Sequence, residues 1–285
     1  MKIEIDKNLQ EIIEKGTAGY VTVYDMNNDK IIATIEGDYE CYPASTTKIL
    51  TAITAFNYVD ENEMMVVGDE QDIMHYSPDP SVCGLTKGEK WRFGDLLYGL
   101  MLPSGNDAAY TIGYNAVNKM DEYKNLSVLD KCMAYRKLMN DYALKLGCKS
   151  TDYYTLDGND HVKGKVVRHV TSTNDLVLML KRALEIEPIR RAMSTESFKI
   201  KSNGKDFEWK NTNRLIKKDS EFYNPYVKLG KTGTTNLAMY CLVTYATDGN
   251  KNYIVAMCHA HAGNHRFVEQ NAIYNYLFKI GRAHV

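Results

Sequence analysis

The chain reads as an α/β (α+β) protein: an antiparallel β-sheet flanked by helices, with a mostly helical subdomain inserted between two strand-rich ends. Two β-rich runs, residues 19–23 and 31–35, open it and are joined by Asp25-Met-Asn-Asn-Asp29, a string with hairpin-turn chemistry. From about residue 94 to 184 the apolar period is mostly helical. After Met193 the strand period returns, at 237–246 and 253–259, around a turn at Asp248-Gly-Asn250. The two β portions can share one sheet only if the helical segment is an insertion between them. The sequence therefore predicts one domain over residues 18–279, with the insertion at about 60–190. No internal repeat, low-complexity stretch or long linker divides it.

Taken in order, residues 45–58 carry Ile49, Ala52, Ile53 and Phe56 at three- and four-residue steps, the spacing of an amphipathic helix. Ser45 stands at its start, where backbone N–H groups point outward unpaired. Further helices are predicted at 95–101, 106–120, 127–146 and 173–184. Gly147 closes the third of these as a C-terminal glycine should, and Asp175 lies early in the fourth. A last helix is expected at about 265–279. The final residues, 280–285, match one reading frame of a common sequencing adapter. They are read as a non-native tail and set aside from fold reasoning.

Composition narrows the function classes. Within 285 residues, 44% are hydrophobic and 25% charged, ordinary values for a globular protein with a sizeable core. The balance of 35 basic and 36 acidic side chains, net −1, gives no electrostatic reason to expect nucleic acid or an anionic surface as partner. The partner is expected to be small or uncharged overall. No apolar run reaches the roughly 18 residues that span a bilayer. Met-Lys-Ile-Glu-Ile-Asp is no signal peptide, so the protein either stays inside the cell or lacks its targeting ends. Cys41, Cys83, Cys132, Cys148, Cys241 and Cys258 show no Cys-x-x-Cys pair or zinc spacing and are read as buried or free thiols.

Chemistry enters at Ser45-Thr-Thr-Lys48. The same Ser-x-x-Lys pattern recurs at Ser202-Asn-Gly-Lys205, where Asn-Gly signals a hairpin turn and cannot hold both side chains on one helical face. Ser45 and Lys48 instead stand one helical turn apart, so the amine can lie over the hydroxyl. A neutral lysine, its pKa depressed by burial and nearby positive charge, can take a serine proton; Lys231 would be that second cation. In isolation the match is equally a helix N-cap beside a solvated lysine.

Ser104-Gly-Asn-Asp107 follows Leu100-Met-Leu-Pro103 and alone would be an ordinary polar loop. As part of a site it puts the Ser104 hydroxyl within reach of Lys48 and Lys231, as a proton shuttle to a leaving amine. Asn106 would then orient a substrate amide and Lys48. Lys231-Thr-Gly-Thr234 stands before a strand-like run, where Gly233 permits close approach of a ligand to the backbone. The N–H groups of Thr234 and Ser45 would form an oxyanion hole, worth about 3 kcal/mol per donor in the transition state. Three weak motifs in the one workable order, each in its required local structure, are far less expected by accident than any one of them.

On these residues the chain resembles the penicillin-binding D-alanyl-D-alanine carboxypeptidases, over about residues 18–279. Pro43-Ala-Ser-Thr-Thr-Lys-Ile-Leu-Thr-Ala52 resembles the nucleophile box of that family, and Asp95-Leu-Leu-Tyr-Gly-Leu-Met-Leu-Pro-Ser-Gly-Asn-Asp-Ala-Ala109 its second box. Trp209-Lys-Asn-Thr-Asn-Arg-Leu215 and Val227-Lys-Leu-Gly-Lys-Thr-Gly-Thr-Thr235 are similar to its third region. The resemblance implies a β-lactamase/transpeptidase-like fold and a role for each position. Ser45 would be the acylated nucleophile, Lys48 its base, and Ser104 with Asn106 the second-motif pair. Lys231 and Thr232 would help hold the substrate's terminal carboxylate, and Arg266 stands where a family arginine engages the same group, which its fork of donors suits.

The resemblance further implies hydrolysis of D-Ala-D-Ala in peptidoglycan stem peptides, with β-lactams as covalent inhibitors and no cofactor. It places the enzyme at the outer face of the bacterial cytoplasmic membrane or in the cell wall. Membrane association would come only through segments absent from this chain. Three other functions are weighed. A class A β-lactamase would resemble Ser-Asp-Asn at the second motif and add a deacylating glutamate. Here Gly105 stands in the motif and no Glu-x-x-x-Asn lies between Ser104 and Lys231. A penicillin-binding sensor would share every acylation residue. A metal-dependent hydrolase would use His259, His261 and His265, two of which alternate as on one strand face. His75, His161 and His169 are read as ordinary structural or surface residues.

Overall fold

The computed structural model describes residues 1–74 and 81–279. A short strand β1 (Lys2–Ile3) and helix α1 (Lys7–Glu14) precede the hairpin of β2 (Tyr20–Asp25) and β3 (Lys30–Ile35). The turn between them closes on the Asp25 carboxylate, which accepts from the N–H groups of Asn27 and Asn28 at 2.9 and 3.2 Å. A 3-10 turn over Ala44–Thr47 runs into α2 (Lys48–Ala55). Then come β4 (Met64–Val66), α3 (Glu70–Met74), β5 (Lys90–Arg92), α4 (Phe93–Met101), α5 (Asn106–Asn118) and α6 (Val128–Lys145). The tiny hairpin of β6 (His161–Val162) and β7 (Lys165–Val166) leads to α7 (Thr173–Leu184) and α8 (Glu187–Ser194). The chain ends in β8 (Ser197–Ser202), β9 (Lys205–Lys210), β10 (Val227–Thr235), β11 (Met239–Thr247), β12 (Asn252–Ala260) and α9 (His265–Lys279).

The main sheet has the order β1-β3-β2-β12-β11-β10, so strands from the two ends of the chain meet at its centre. Its pairs are antiparallel except β1, which lies parallel to β3. Residues between β3 and β10 contribute no strand to it among those described. The pleat sorts alternate side chains to two cores. Ile254, Ala256 and Cys258 of β12 join the core beneath α2 and α4–α8, while Tyr253, Val255 and Met257 join the core beneath α1 and α9. No helix among the described residues is long and apolar enough to cross a membrane.

Several sequence expectations shift. The helix foreseen over 45–58 splits into the 3-10 turn and α2 and ends at Ala55. The strand foreseen at 237–246 begins only at Met239, and Lys231-Thr-Gly-Thr234 lies inside an edge strand of its own, β10, rather than ahead of one. Leu237 falls in the turn joining the two. Ser202 and Lys205 flank a hairpin whose central residues, Asn203 and Gly204, have φ of 50° and 76°, the left-handed pair of a two-residue turn. The tail at 280–285 and His75 lie outside the described residues.

Two local devices place the parts that matter for the site. Trp209 packs on Trp91 at 5.6 Å between ring centroids and donates its indole N–H to the Cys83 carbonyl at 2.8 Å. This docks β9, and the Asn211–Asn213 segment after it, against α4 and its neighbours. The buried Asp175 carboxylate accepts from the N–H groups of Lys149 and Ser150 and from the Thr151 hydroxyl, anchoring the chain after α6 to the start of α7. Replacing Asp175 by Ala would orphan those donors, so Asp175→Ala is expected to cost about 3 kcal/mol. A urea midpoint lowered at unchanged m-value checks this, and an unshifted midpoint would contradict it.

Candidate active site

The turn that presents Ser45 is held in an unfavourable backbone state. Ala44 has φ of 47°, in the left-handed region that costs a non-glycine residue about 1 kcal/mol or more. Its neighbours over-determine that state. The Thr46 hydroxyl donates to the Pro43 carbonyl and the Thr47 hydroxyl to the Ala44 carbonyl, both at 2.8 Å. Two glycines press on the turn from opposite elements. A Cβ on Gly158 would lie 2.0 Å from the Ala44 oxygen, and one on Gly233 would lie 3.0 Å from the Ser45 nitrogen and 2.7 Å from the Pro43 oxygen. The approach of the nucleophile turn alone forbids a side chain at Gly233.

One turn on, Lys48 is fully buried and its Nζ donates to three oxygens: Ser45 Oγ at 2.8 Å, Asn106 Oδ1 at 2.7 Å and the Asp157 carbonyl at 2.7 Å. Lys231, 1% exposed, donates to Ser104 Oγ at 2.9 Å and to the Thr232 carbonyl at 2.8 Å. Each lysine thus holds one serine. Among the described residues no hydrogen bond joins Lys48 to Ser104, whose hydroxyl is bonded to Lys231. Burial lowers the Lys48 pKa to about 8, against the opposing pull of Asp157, Asp107 and Cys83. Burial also drives Lys231 well below the ordinary lysine value, and the positive charges of Lys48 and Arg266 push it further.

The second motif is equally constrained. Ser104 has φ of 66° and is 6% exposed. A Cβ on Gly105 would lie 2.6 Å from the Asp107 carboxylate and 2.8 Å from the Gly99 carbonyl, so no other residue fits without a shift. That carboxylate accepts from the N–H groups of Cys83, Gly84, Leu85 and Ala108, binding the 83–85 segment to the motif. Asn106 opens α5, which aims its side chain at Lys48.

On the opposite wall, the Thr232 hydroxyl meets that of Thr212 at 2.6 Å and Thr234 is exposed on the free edge of the sheet. Arg266, the second residue of α9, donates from Nη1 to the Gly233 carbonyl at 2.9 Å and the Thr234 hydroxyl at 3.0 Å. Its Nε has no hydrogen-bond partner among the described residues, although it is buried. The arrangement offers a hydroxyl beside a lysine amine, a second hydroxyl on another lysine, and an edge strand flanked by an arginine.

The family model described as D-alanyl-D-alanine carboxypeptidase matches residues 8–262. The chain belongs to that family. It is 28% identical to the D-alanyl-D-alanine carboxypeptidase DacF of Bacillus subtilis (strain 168), over 96% of this chain and 62% of that protein. It is 29% identical to the D-alanyl-D-alanine carboxypeptidase of Streptomyces sp. (strain K15), over 94% of this chain and 90% of that protein. A mutant of the Streptomyces K15 DD-transpeptidase has the same fold, with TM-score 0.79 and 26% identity over 93% of this chain and 98% of that one. The chain thus spans less than two thirds of the Bacillus relative and nearly all of the Streptomyces one.

Within this family member, motif reasoning left out the 153–160 segment and His169. Asp157 supplies a carbonyl to Lys48, Gly158 packs on Ala44, and the buried Asp160 accepts from the Thr235 hydroxyl at the end of β10. Contacts made through backbone atoms leave no residue-type signature. Gly158, with φ of 98°, was the one legible hint. The histidines weighed as metal ligands do not converge. His259 takes φ of 63°, which breaks the strand alternation, and His265 Nδ1 lies 3.1 Å from the Thr17 hydroxyl. Among the described residues no three of His, Cys, Asp and Glu are grouped as a metal site.

Two outcomes are expected. Gly158→Ala should slow acylation of Ser45 by benzylpenicillin at least about tenfold, because the added methyl displaces Ala44. Gly164→Ala, also at positive φ but with open space around it, is the control and should acylate as wild type. Equal rates for the two variants would contradict this account. The acylation rate should also rise tenfold per pH unit below about 8 and level off above, since only the neutral Lys48 amine accepts a proton. A stopped-flow profile flat from pH 6 to 9 would exclude Lys48 as the base.

Proposed function

We propose that this protein is a serine-type D-Ala-D-Ala carboxypeptidase that removes the terminal D-alanine from peptidoglycan stem peptides through an acyl-enzyme on Ser45. The observation that carries this is the fully buried Lys48 amine, 2.8 Å from Ser45 Oγ, with its pKa brought down toward neutrality. At pH 7 about a tenth of such an amine is neutral, a cost of about 1.4 kcal/mol, which an acyl transfer tolerates.

In this scheme Ser45 attacks the penultimate D-alanine carbonyl and Lys48 takes its proton. Ser104 passes its proton to the leaving D-alanine nitrogen and takes one back from the Lys231 ammonium bonded to it; water then hydrolyses the ester, its oxygen going to the peptide carboxylate and a proton returning to Ser45. Thr234 and Ser45 offer backbone N–H groups to the developing oxyanion, and Asn106 fixes both Lys48 and the substrate amide. Arg266, Lys231 and Thr232 hold the terminal carboxylate, a charge that the planar guanidinium fork suits. A stem peptide lies along β10, whose outer edge pairs with no strand among the described residues. β-Lactams mimic the dipeptide and acylate the same serine.

Slow release of that adduct is favoured over β-lactamase turnover because no Glu-x-x-x-Asn lies between Ser104 and Lys231 to supply the glutamate that activates a deacylating water. Transfer of the acyl group to an amine needs the same residues, and the Streptomyces relative is described both as a carboxypeptidase and as a DD-transpeptidase. The substrate places the reaction outside the cytoplasmic membrane.

Incubation with benzylpenicillin should add one penicilloyl mass to the wild type and to Ser202→Ala, and none to Ser45→Ala. The wild type should release D-alanine from a peptide ending in D-Ala-D-Ala. An adduct that persists in Ser45→Ala would overturn the assignment of the nucleophile. Acylation without any D-alanine release would reassign the protein as a sensor.

A further inference from the structure

We propose that His169 is a positioning residue that locks the Ser45 turn and the segment carrying the Lys48 acceptor into one register. The inference rests on the acyl-enzyme reading above. Expected from sequence to be an ordinary structural or surface residue, His169 is fully buried, its ring stacked on Tyr153 at 4.6 Å and 9°. Its Nδ1 faces the backbone N–H groups of Tyr154 and Thr155 at 2.9 and 3.1 Å. A nitrogen that accepts from N–H donors carries no proton, so the ring proton is on Nε2. Nε2 lies 2.8 Å from the Thr47 hydroxyl, whose own proton goes to the Ala44 carbonyl at 2.8 Å.

The result is one directed chain of hydrogen bonds, from the Tyr154 and Thr155 amides through the imidazole and Thr47 to Ala44. Both of its ends act on the site. Ala44 is the left-handed residue that sets where Ser45 points, and Tyr154–Thr155 lead into Asp157, whose carbonyl holds Lys48. Without the imidazole, the 154–158 segment would still meet α2 through the Asp157–Lys48 and Leu156–Thr51 hydrogen bonds and the turn through the packing of Gly158, but the link from Tyr154 and Thr155 to Ala44 would be lost. Burial, and then the charge of Lys48, lower the His169 pKa to about 3 and keep the ring neutral. A protonated ring could not accept from the two amides, so the neutral tautomer is built into the geometry. His169 touches neither Ser45 nor the cleft edge at Thr234, which makes its contribution one of placement.

The test compares acylation by benzylpenicillin in the wild type, His169→Phe, Thr47→Val and the double variant, at saturating and sub-saturating drug. Circular dichroism and melting curves establish that each is folded. Wild-type acylation must first be observed; its absence would be a failure of the proposed function and not of this inference. The first-order acylation constant is expected to fall about tenfold or more in each single variant, with the non-covalent dissociation constant unchanged. The double variant should be no slower than the slower single one, because both remove the same chain. A folded His169→Phe acylating within about twofold of wild type, additive losses, or a loss confined to the dissociation constant would each overturn the proposal. If His169→Phe does not fold, Thr47→Val decides it: the same slowing supports the proposal and a wild-type rate overturns it. The ring ¹⁵N spectrum of the wild type at pH 7 should show a bare Nδ1 and a protonated Nε2; the opposite tautomer would also overturn it.

Discussion

Everything around the site depends on keeping a lysine amine inside the protein beside a serine hydroxyl. Removing an ammonium from water is costly, and Lys48 tolerates it only because Ser45, Asn106 and the Asp157 carbonyl receive its protons. Those three acceptors come from three separate elements: the 3-10 turn before α2, the start of α5, and the segment ahead of β6. The site is therefore complete only when the inserted helices and the sheet close on each other. The same burial that makes the amine expensive brings its pKa down to where it can act as a base.

The second constraint is backbone crowding. Ala44 and Ser104 both occupy the left-handed region, and each sits beside glycines that cannot accept a side chain: Gly158 and Gly233 around the first, Gly105 after the second. Strain of this kind persists only where packing over-determines it. Here Trp209, Asp107 and Asp175 fix the surrounding segments, so the strained residues have no room to relax. Lys231 is buried from the sheet side, and burial, then the charges of Lys48 and Arg266, lower its pKa well below the ordinary lysine value.

The residues that perform local chemistry were legible in the sequence because their spacing has a meaning of its own. Ser45 and Lys48 one turn apart, the Ser104 loop between helices, and the Lys231-Thr-Gly motif could all be named, and Asn-Gly at 203–204 explained why Ser202 is a hairpin residue. Boundaries were less legible. The β10 strand went unseen because Gly230, Lys231 and Gly233 dilute its apolar alternation, and Leu237 drew the next strand two residues early.

What the sequence by itself determined is the chemistry on offer and the α/β plan, with strands at the two ends around a helical middle, since residue type and short-range period encode both. Only the tertiary structure decided the partnerships. Ser104 is bonded to Lys231, Gly233 packs against the nucleophile turn, and His169 reaches Ala44 through Thr47. These contacts join residues 127, 189 and 122 positions apart. Several run through backbone atoms, which every residue possesses, so nothing in the order of side chains could announce them.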